Sequence, residues 1–162
     1  MIHIRRLAVP IASLAVLVLS LVADDAVAQG VAVPEPQFYP SPDSVLKRMP
    51  FSEAVRVGNM LYVSGQIGSL PGTLTLAPGG IGPETRQTFQ NIAAILERHG
   101  ASLKDVVKCT VYLADIGEWG AFNAVYREFF SAPYPARSAL GGAALVFGAR
   151  EEVECVAVVP GQ

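Results

Sequence analysis

Residues 134–138 read Tyr-Pro-Ala-Arg-Ser, and residues 151–154 read Glu-Glu-Val-Glu a short way downstream. Pro135 cannot continue a helix and pushes the residue before it towards extended backbone, so Arg137 is expected to open a strand. A second apolar strand is predicted from residue 152 to residue 159, with Glu152 at its start. One cation and one carboxylate near the ends of neighbouring strands suit a small site for a molecule that bears a carboxylate.

The same two residues have a plainer interpretation, which is a structural salt bridge between Arg137 and Glu152. A guanidinium among small apolar residues needs an anion, and that anion can be a protein carboxylate as well as a bound one. Most such pairs in proteins are structural, so the local pattern alone favours the salt bridge.

The N-terminus has the features of a secretory signal peptide. Arg5 and Arg6 precede an uncharged run over residues 7–23, and residues 26–28 read Ala-Val-Ala. This pattern predicts cleavage after Ala28. An uncleaved membrane anchor is the alternative, but the run is short for a span and no basic cluster follows it. We expect a mature protein in a periplasm or secreted, with no membrane contact after cleavage.

Length and charge limit the organisation of the chain beyond the leader. The whole chain has 162 residues and a net charge of −2. One compact domain is expected, and the absence of Lys/Arg clusters argues against nucleic-acid binding. Residues 29–50 are rich in proline and serine and are expected to be an extended lead-in, with the domain at residues 51–162.

The two cysteines, Cys109 and Cys155, lie in apolar, β-branched runs. An exported chain with two cysteines invites a disulfide. A cysteine in such a run also behaves as a small hydrophobic residue that faces the core. We therefore expect two free thiols.

Strand and helix patterns alternate in the order β-β-α-β-α-β-β. Gly58-Asn59 predicts a hairpin turn, and apolar residues at helical spacing predict helices over residues 84–99 and 118–130. The order predicts an α+β fold, a mixed sheet with two helices packed on one face.

The opposite face of this sheet is expected to be too apolar for water and to pack against other subunits. The residues assigned to it are Val57, Met60, Tyr62 and Val111. No Cys/His/carboxylate cluster has the spacing of a metal site, and His99 is the only histidine outside the leader. The arginine, the carboxylates and backbone groups remain as candidates for chemistry.

Several motifs together resemble the RidA/YjgF family of reactive intermediate deaminases, in the family's order and spacing. They are Val63-Ser64-Gly65-Gln66-Ile67, Asn91, Phe122-Asn123-Ala124-Val125-Tyr126 with Phe129-Phe130, Pro135-Ala136-Arg137-Ser138, and Glu152-Val153-Glu154-Cys155-Val156-Ala157-Val158. The resemblance covers nearly all of the chain from about Phe51. It implies a chorismate-mutase-like fold and a homotrimer with sites between subunits.

The resemblance also implies an activity and a set of site residues. Active members hydrolyse 2-imino acids or enamines to 2-keto acids and ammonia, without a metal or an organic cofactor. Carried over by position, Arg137 would hold the substrate carboxylate and Glu152 would orient or deprotonate water. The other positions that would line the cleft are Ser64, Gly65, Asn123, Phe51 and Ala139.

Two of these positions depart from the family pattern, which often has Tyr at Phe51 and Cys at Ala139. Two functions of different classes therefore stay open. One is an imine deaminase, and the other is a non-catalytic protein that binds carboxylates or partners through the same cleft. A third function sometimes attached to the family, nuclease or translation inhibitor, is disfavoured by the acidic charge balance.

Overall fold

A computed structural model describes residues 33–142 and 144–161, and the predicted signal peptide lies outside them. Within these residues one six-stranded sheet is covered on one face by two helices. The strands are β1 (Gln37–Tyr39), β2 (Ala54–Val57), β3 (Met60–Gln66), β4 (Val106–Leu113), β5 (Ala136–Gly141) and β6 (Glu151–Val158). The helices are α1 (Ile81–Arg98) and α2 (Trp119–Phe129). The predicted α+β architecture is confirmed.

The strand order in the sheet is β1-β2-β3-β6-β4-β5. The β4–β5 pair is parallel, and the other neighbours are antiparallel, so the sheet is mixed as predicted. This order puts Glu152 on an interior strand and Arg137 on the edge strand β5. In the part of the chain described, no helix is long and apolar enough to cross a membrane.

The predicted hairpin forms between β2 and β3. Val57 pairs with Met60, and the turn between them places Gly58 at φ 60°. A left-handed residue at the first of the two central positions is typical of a two-residue hairpin turn, and glycine adopts that backbone without strain. The turn therefore fixes the register in which β3 brings Ser64 and Gly65 towards β6.

The lead-in contributes an edge strand that the sequence pattern did not predict. Gln37–Tyr39 pairs antiparallel with β2, so the domain begins before residue 51. The Tyr39 ring stacks on His99 at a centroid distance of 4.2 Å. The buried Glu53 carboxylate accepts a hydrogen bond from Arg98 at 2.8 Å and contacts His99 at 3.1 Å. These contacts fix β1 and β2 to the end of α1.

Aromatic packing between the helices forms the centre of the core. Phe89 of α1 is fully buried and meets several rings on and just after α2. Its ring partners are Phe122, Tyr126, Phe129 and Phe130. Phe122 and Tyr126 of α2 are thus core residues, whereas Trp119 at the start of the same helix is 38% exposed.

The assignment of residues to the two faces of the sheet differs from the prediction at one residue. Alternation along β4 puts Val111 on the helix-covered face, where it is fully buried, so its assignment to the outer face is wrong. Val57, Met60 and Tyr62 do lie on the uncovered face, because each is out of phase with the buried residues Ala54, Leu61 and Val63. Phe38 of β1 is the register partner of Val55, which lies on the same uncovered face, and Phe38 is 68% exposed.

The expectation of two free thiols is wrong, because Cys109 and Cys155 form a disulfide. The two residues are register partners on β4 and β6, and both point into the core. Core-facing positions were predicted correctly, but the sequence pattern did not reveal which strands pair. Direct cross-strand partners bring their Cβ atoms close enough for a bond.

Candidate functional site

Arg137 is held by side chains of α2. Its Nη2 donates a hydrogen bond to Asn123 Oδ1 at 2.8 Å. The guanidinium carbon lies 4.9 Å from the centre of the Trp119 ring and 4.4 Å from that of Tyr126. Aromatic faces attract a cation without neutralising it. The guanidinium is therefore fixed in place while it keeps its positive charge and its other donors.

This guanidinium lines a cavity of about 530 Å³. The other lining residues are Trp119, Asn123, Tyr126, Arg127, Tyr134 and Pro135. Burial raises the pKa of Tyr126, an effect that the positive charge of Arg137 partly opposes, so the phenol stays neutral at pH 7. The cavity combines positive charge with flat apolar walls, which suits a small organic anion.

Glu152 lies against the backbone of Gly65. A Cβ atom added at Gly65 would lie 2.0 Å from Glu152 Oε1, so only glycine leaves room for the carboxylate. Ser64, the preceding residue, donates its hydroxyl hydrogen bond to the carbonyl of Ser52 at 2.7 Å. The predicted residues Ser64, Gly65 and Glu152 are thus brought together, and the Ser64 hydroxyl has a structural role.

The electrostatic surroundings make Glu152 a stronger base than an ordinary glutamate. Partial burial raises its pKa, and the negative charge of Glu154 on the same strand raises it further. A carboxylate with a raised pKa is better matched to accepting a proton near neutral pH.

A second cavity, of about 420 Å³, opens over Glu152. It is lined by Phe51, which was predicted, and by apolar residues of the lead-in, of the segment between β3 and α1, and of the segment between β5 and β6. These additional residues are Leu46, Met49, Ile67, Leu74, Val146 and Phe147. Large apolar side chains inside loop segments were the only signal in the sequence that could have found them.

Arg137 and Glu152 lie on opposite faces of the sheet. Arg137 is the register partner of the core-facing Cys109, and it contacts α2 on the helix-covered face. Glu152 pairs with Tyr112 and alternates with the buried Glu151 and Val153, so it projects from the uncovered face. The predicted cation and carboxylate cannot meet within one chain.

This arrangement excludes a salt bridge between Arg137 and Glu152 of the same chain. Among the described residues, Arg137 forms no ion pair, and its hydrogen-bond partner is the neutral amide of Asn123. Ala139, also on β5, packs its methyl group against the core, so that only its backbone is free to contact a ligand. One chain thus carries two candidate half-sites, an Arg137/Asn123 half-site and a Glu152/Gly65 half-site.

Comparisons with known proteins agree with the fold and the motifs. The family model described as Endoribonuclease L-PSP matches residues 43–159. The 2-iminobutanoate/2-iminopropanoate deaminase of Capra hircus is 45% identical over 109 residues, which are 67% of this chain and 80% of that protein. The protein of the same name from Homo sapiens is 42% identical over 109 residues, with coverages of 67% and 80%.

Solved structures give the same result. RidA from the Antarctic bacterium Psychrobacter sp. PAMC 21119 matches with a TM-score of 0.66 and 38% identity, over 78% of this chain and 98% of that one. Yeast Mmf1 matches with a TM-score of 0.65 and 34% identity, over 78% and 96%. The chain therefore belongs to the Endoribonuclease L-PSP family, which is the RidA/YjgF family.

Proposed function

We propose that this protein is a deaminase that hydrolyses 2-imino acids, and the enamines in equilibrium with them, to 2-keto acids and ammonia. The observation that carries the proposal is the Arg137 guanidinium, which is fixed by Asn123 and two aromatic rings but has no carboxylate partner among the described residues. Relatives at 42–45% identity are named for this reaction.

Arg137 binds the substrate carboxylate in this proposal. A guanidinium offers parallel N–H donors that match the two oxygens of a carboxylate, which fixes the orientation as well as the position of the ligand. Asn123 and the rings of Trp119 and Tyr126 hold the guanidinium plane before the ligand arrives. Such preorganisation places the imine carbon without further ordering of the protein.

Glu152 acts as the general base. It takes a proton from water as the water oxygen bonds to C2 of the iminium, which yields a tetrahedral amino alcohol. Return of that proton to nitrogen lets the C–N bond break, and the hydroxyl proton passes to the departing ammonia as the C=O bond forms, so that one iminium and one water become one keto acid and one ammonium ion. The iminium carbon is already electrophilic, and positioning plus one base suffices for the reaction.

The active site lies between two copies of the chain, because Arg137 and Glu152 project from opposite faces of the sheet within one copy. The uncovered face supports such an assembly, since it carries the exposed apolar residues Phe38, Tyr62 and Leu140. Large apolar side chains exposed on one face of a sheet are typical of a surface that contacts another protein chain. A homotrimer closes this interface by rotation.

Two other functions give different experimental outcomes. A non-catalytic carboxylate-binding protein would keep the Arg137 half-site and lack turnover. A ribonuclease, which the description of the family model suggests, would need a surface for the RNA backbone. The net charge of −2 does not favour that function.

The test of the proposed function is imine hydrolysis by the full chain. An amino-acid oxidase generates 2-imino acids in situ, and semicarbazide traps those that survive. The protein is expected to shorten their lifetime, and both Arg137→Ala and Glu152→Gln are expected to abolish the effect. An Arg127→Ala variant, which removes the other arginine of the Arg137 cavity, separates loss of the specific contact from loss of positive charge. A wild-type protein that leaves imine lifetimes unchanged across several side chains contradicts the proposal.

Export remains part of the proposal, and two features support it. The leader pattern over residues 1–28 predicts cleavage, and a buried disulfide is typical of proteins that fold in an oxidising compartment. Intact mass of the exported protein is expected to place Gln29 at the N-terminus, and alkylation after denaturation without reductant is expected to label no thiol. A full-length mass with two labelled cysteines contradicts both expectations.

A further inference from the structure

The cavity over Glu152 has a composition that the proposed reaction alone does not require. Its walls come from the lead-in, from the loop between β3 and α1, and from the loop between β5 and β6. Seven apolar side chains contribute to these walls, namely Leu46, Met49, Phe51, Ile67, Leu74, Val146 and Phe147. Glu152 and the Gly65 backbone lie in the same cavity, so its apolar walls adjoin the proposed catalytic carboxylate.

Phe147, one of the residues that line this cavity, has a strained backbone conformation. Its backbone has φ 56° and ψ 14°, a left-handed conformation that non-glycine residues adopt rarely. The ring is 54% exposed, so burial within the chain does not offset the strain. Val146 beside it is 58% exposed, and Phe51 across the cavity is 51% exposed. Strained residues of this kind concentrate at ligand sites.

The volume is also larger than a small imino acid needs. About 420 Å³ falls in the range of ~300–1,000 Å³ that is typical of small-ligand pockets. A methyl or ethyl side chain would fill little of it and would leave the apolar walls in contact with water. A branched or aromatic side chain would cover them.

We propose that this cavity is the side-chain pocket of the active site, and that it selects 2-imino acids with large apolar side chains, branched aliphatic or aromatic. The inference rests on the proposed function, because it takes Glu152 to mark the position of the imine carbon. The occupant is a small molecule and not a protein surface, because a partner that filled the cavity would cover the carboxylate of Glu152. The product must also be able to leave.

The pocket predicts an order among substrates. Each additional methylene placed against apolar walls improves binding about fourfold. The imino acids derived from leucine and phenylalanine are therefore expected to have kcat/KM at least ~10-fold above that of the imino acid derived from alanine. The oxidase-coupled assay measures this order when the parent amino acids are supplied in turn.

Two variants test the walls directly. Phe147→Gly removes the ring and suits the left-handed backbone, so it relieves strain and leaves the chain able to fold. Val146→Thr keeps the shape of the side chain and makes it polar. Each is expected to lower the leucine-to-alanine ratio of kcat/KM, Phe147→Gly by ~10-fold. Val33→Thr makes the same change at a residue that is 87% exposed and outside the cavity, and its ratio is expected to match that of the wild type.

The failure of this inference can be told apart from failure of the proposed function. Faster hydrolysis of the alanine-derived imine than of the leucine- and phenylalanine-derived imines overturns the pocket and leaves the deaminase standing. The pocket is also overturned if Phe147→Gly changes the oligomer mass but not the leucine-to-alanine ratio of kcat/KM. The Phe147 ring would then belong to an interface between subunits. If no imine is turned over, the pocket is tested by calorimetry, which compares the affinities of the protein for pyruvate and for 4-methyl-2-oxopentanoate. Tighter binding of the branched acid that is lost in Phe147→Gly supports the pocket, and equal affinities overturn it.

Discussion

At the scale of single residues, the contact between Gly65 and Glu152 gives the sharpest prediction. Gly65→Ala puts a methyl group where Glu152 Oε1 now lies, so the carboxylate must turn away from its present position. We expect the rate of imine hydrolysis to fall ~100-fold, because a displacement of about 1 Å at a catalytic group has effects of this size.

The fold should survive that substitution, since the obstructing atom is the far end of a flexible side chain and the backbone of Gly65 is not left-handed. Thermal unfolding measured beside the rate is expected to change little. Gly120→Ala is the matched control, because no atom lies within 4 Å of the added methyl group. Equal rates in the two variants would show that the position of Glu152 does not matter.

Glu154 offers a second test at this scale. Its negative charge, after burial, raises the pKa of Glu152. Glu154→Gln should therefore lower the pKa of Glu152, and the acidic limb of the profile of kcat/KM against pH should move to lower pH. Glu35→Gln removes an exposed carboxylate outside the sheet and serves as the control. An acidic limb that stays in place in Glu154→Gln would mean that Glu152 is not the base whose ionisation limits the rate.

The sequence identified candidate site residues but not their arrangement in the fold. Arg137, Glu152, Gly65 and Asn123 could be named because they belong to local motifs with recognisable spacing. Their assignment to opposite faces of the sheet depends on the pairing of β4 with both β5 and β6. The apolar cavity over Glu152 also escaped prediction, because three separate segments of the chain come together to form it.

At the scale of elements, the packing of β6 against α1 contains a buried carboxyl group. Glu151 is fully buried, and Thr88 donates a hydrogen bond to its Oε1 at 2.5 Å. Burial raises the pKa of Glu151 to about 8 from a reference of 4.5, with smaller contributions from Glu84 and Glu152. The folded protein therefore holds a proton that the unfolded chain releases above pH 4.5.

The sign of the effect on stability follows from this proton. The stabilisation is fully present below the unfolded pKa, and it is lost as the pH rises through the folded pKa. The free energy of unfolding should fall by about 1.4 kcal/mol per pH unit between about pH 4.5 and pH 8. Glu151→Gln, whose amide oxygen can still accept from Thr88, should remove this slope and be more stable than the wild type at pH 8.

Denaturant unfolding at several pH values measures the slope. Glu97→Gln is the control, because it removes an exposed carboxylate from α1 and should keep the wild-type slope. Parallel pH curves for the wild type and Glu151→Gln would show that Glu151 is ionised in the folded protein.

Elements differ in how far local pattern determines them. The hairpin at Gly58 and both helices were predicted, because turn chemistry and apolar spacing act within a few residues. The three-residue strand β1 was not, since its identity comes from pairing with β2 rather than from its own sequence. The same reason accounts for the disulfide, which joins positions 46 residues apart.

At the scale of the whole molecule, the proposed division of the active site between two copies predicts a result that single variants cannot give. Arg137→Ala keeps an intact Glu152, and Glu152→Gln keeps an intact Arg137, yet each pure variant lacks a complete site. In a mixed oligomer, an interface that takes Arg137 from one variant and Glu152 from the other is complete. We expect the two inactive proteins, unfolded together at equal amounts and refolded, to recover about one quarter of wild-type activity by random assortment in a cyclic assembly.

Recovery requires an exchange of subunits, so the two variants mixed without unfolding are expected to stay inactive over the time of the assay. A mixture of Arg137→Ala with the double variant Arg137→Ala/Glu152→Gln matches the procedure but contains no intact Arg137, and it should recover nothing. If the co-refolded single variants also recover nothing while a wild-type sample refolds to full activity, Arg137 and Glu152 must serve one site within one chain. The sheet forbids that in the fold described here, because the two side chains leave it on opposite faces.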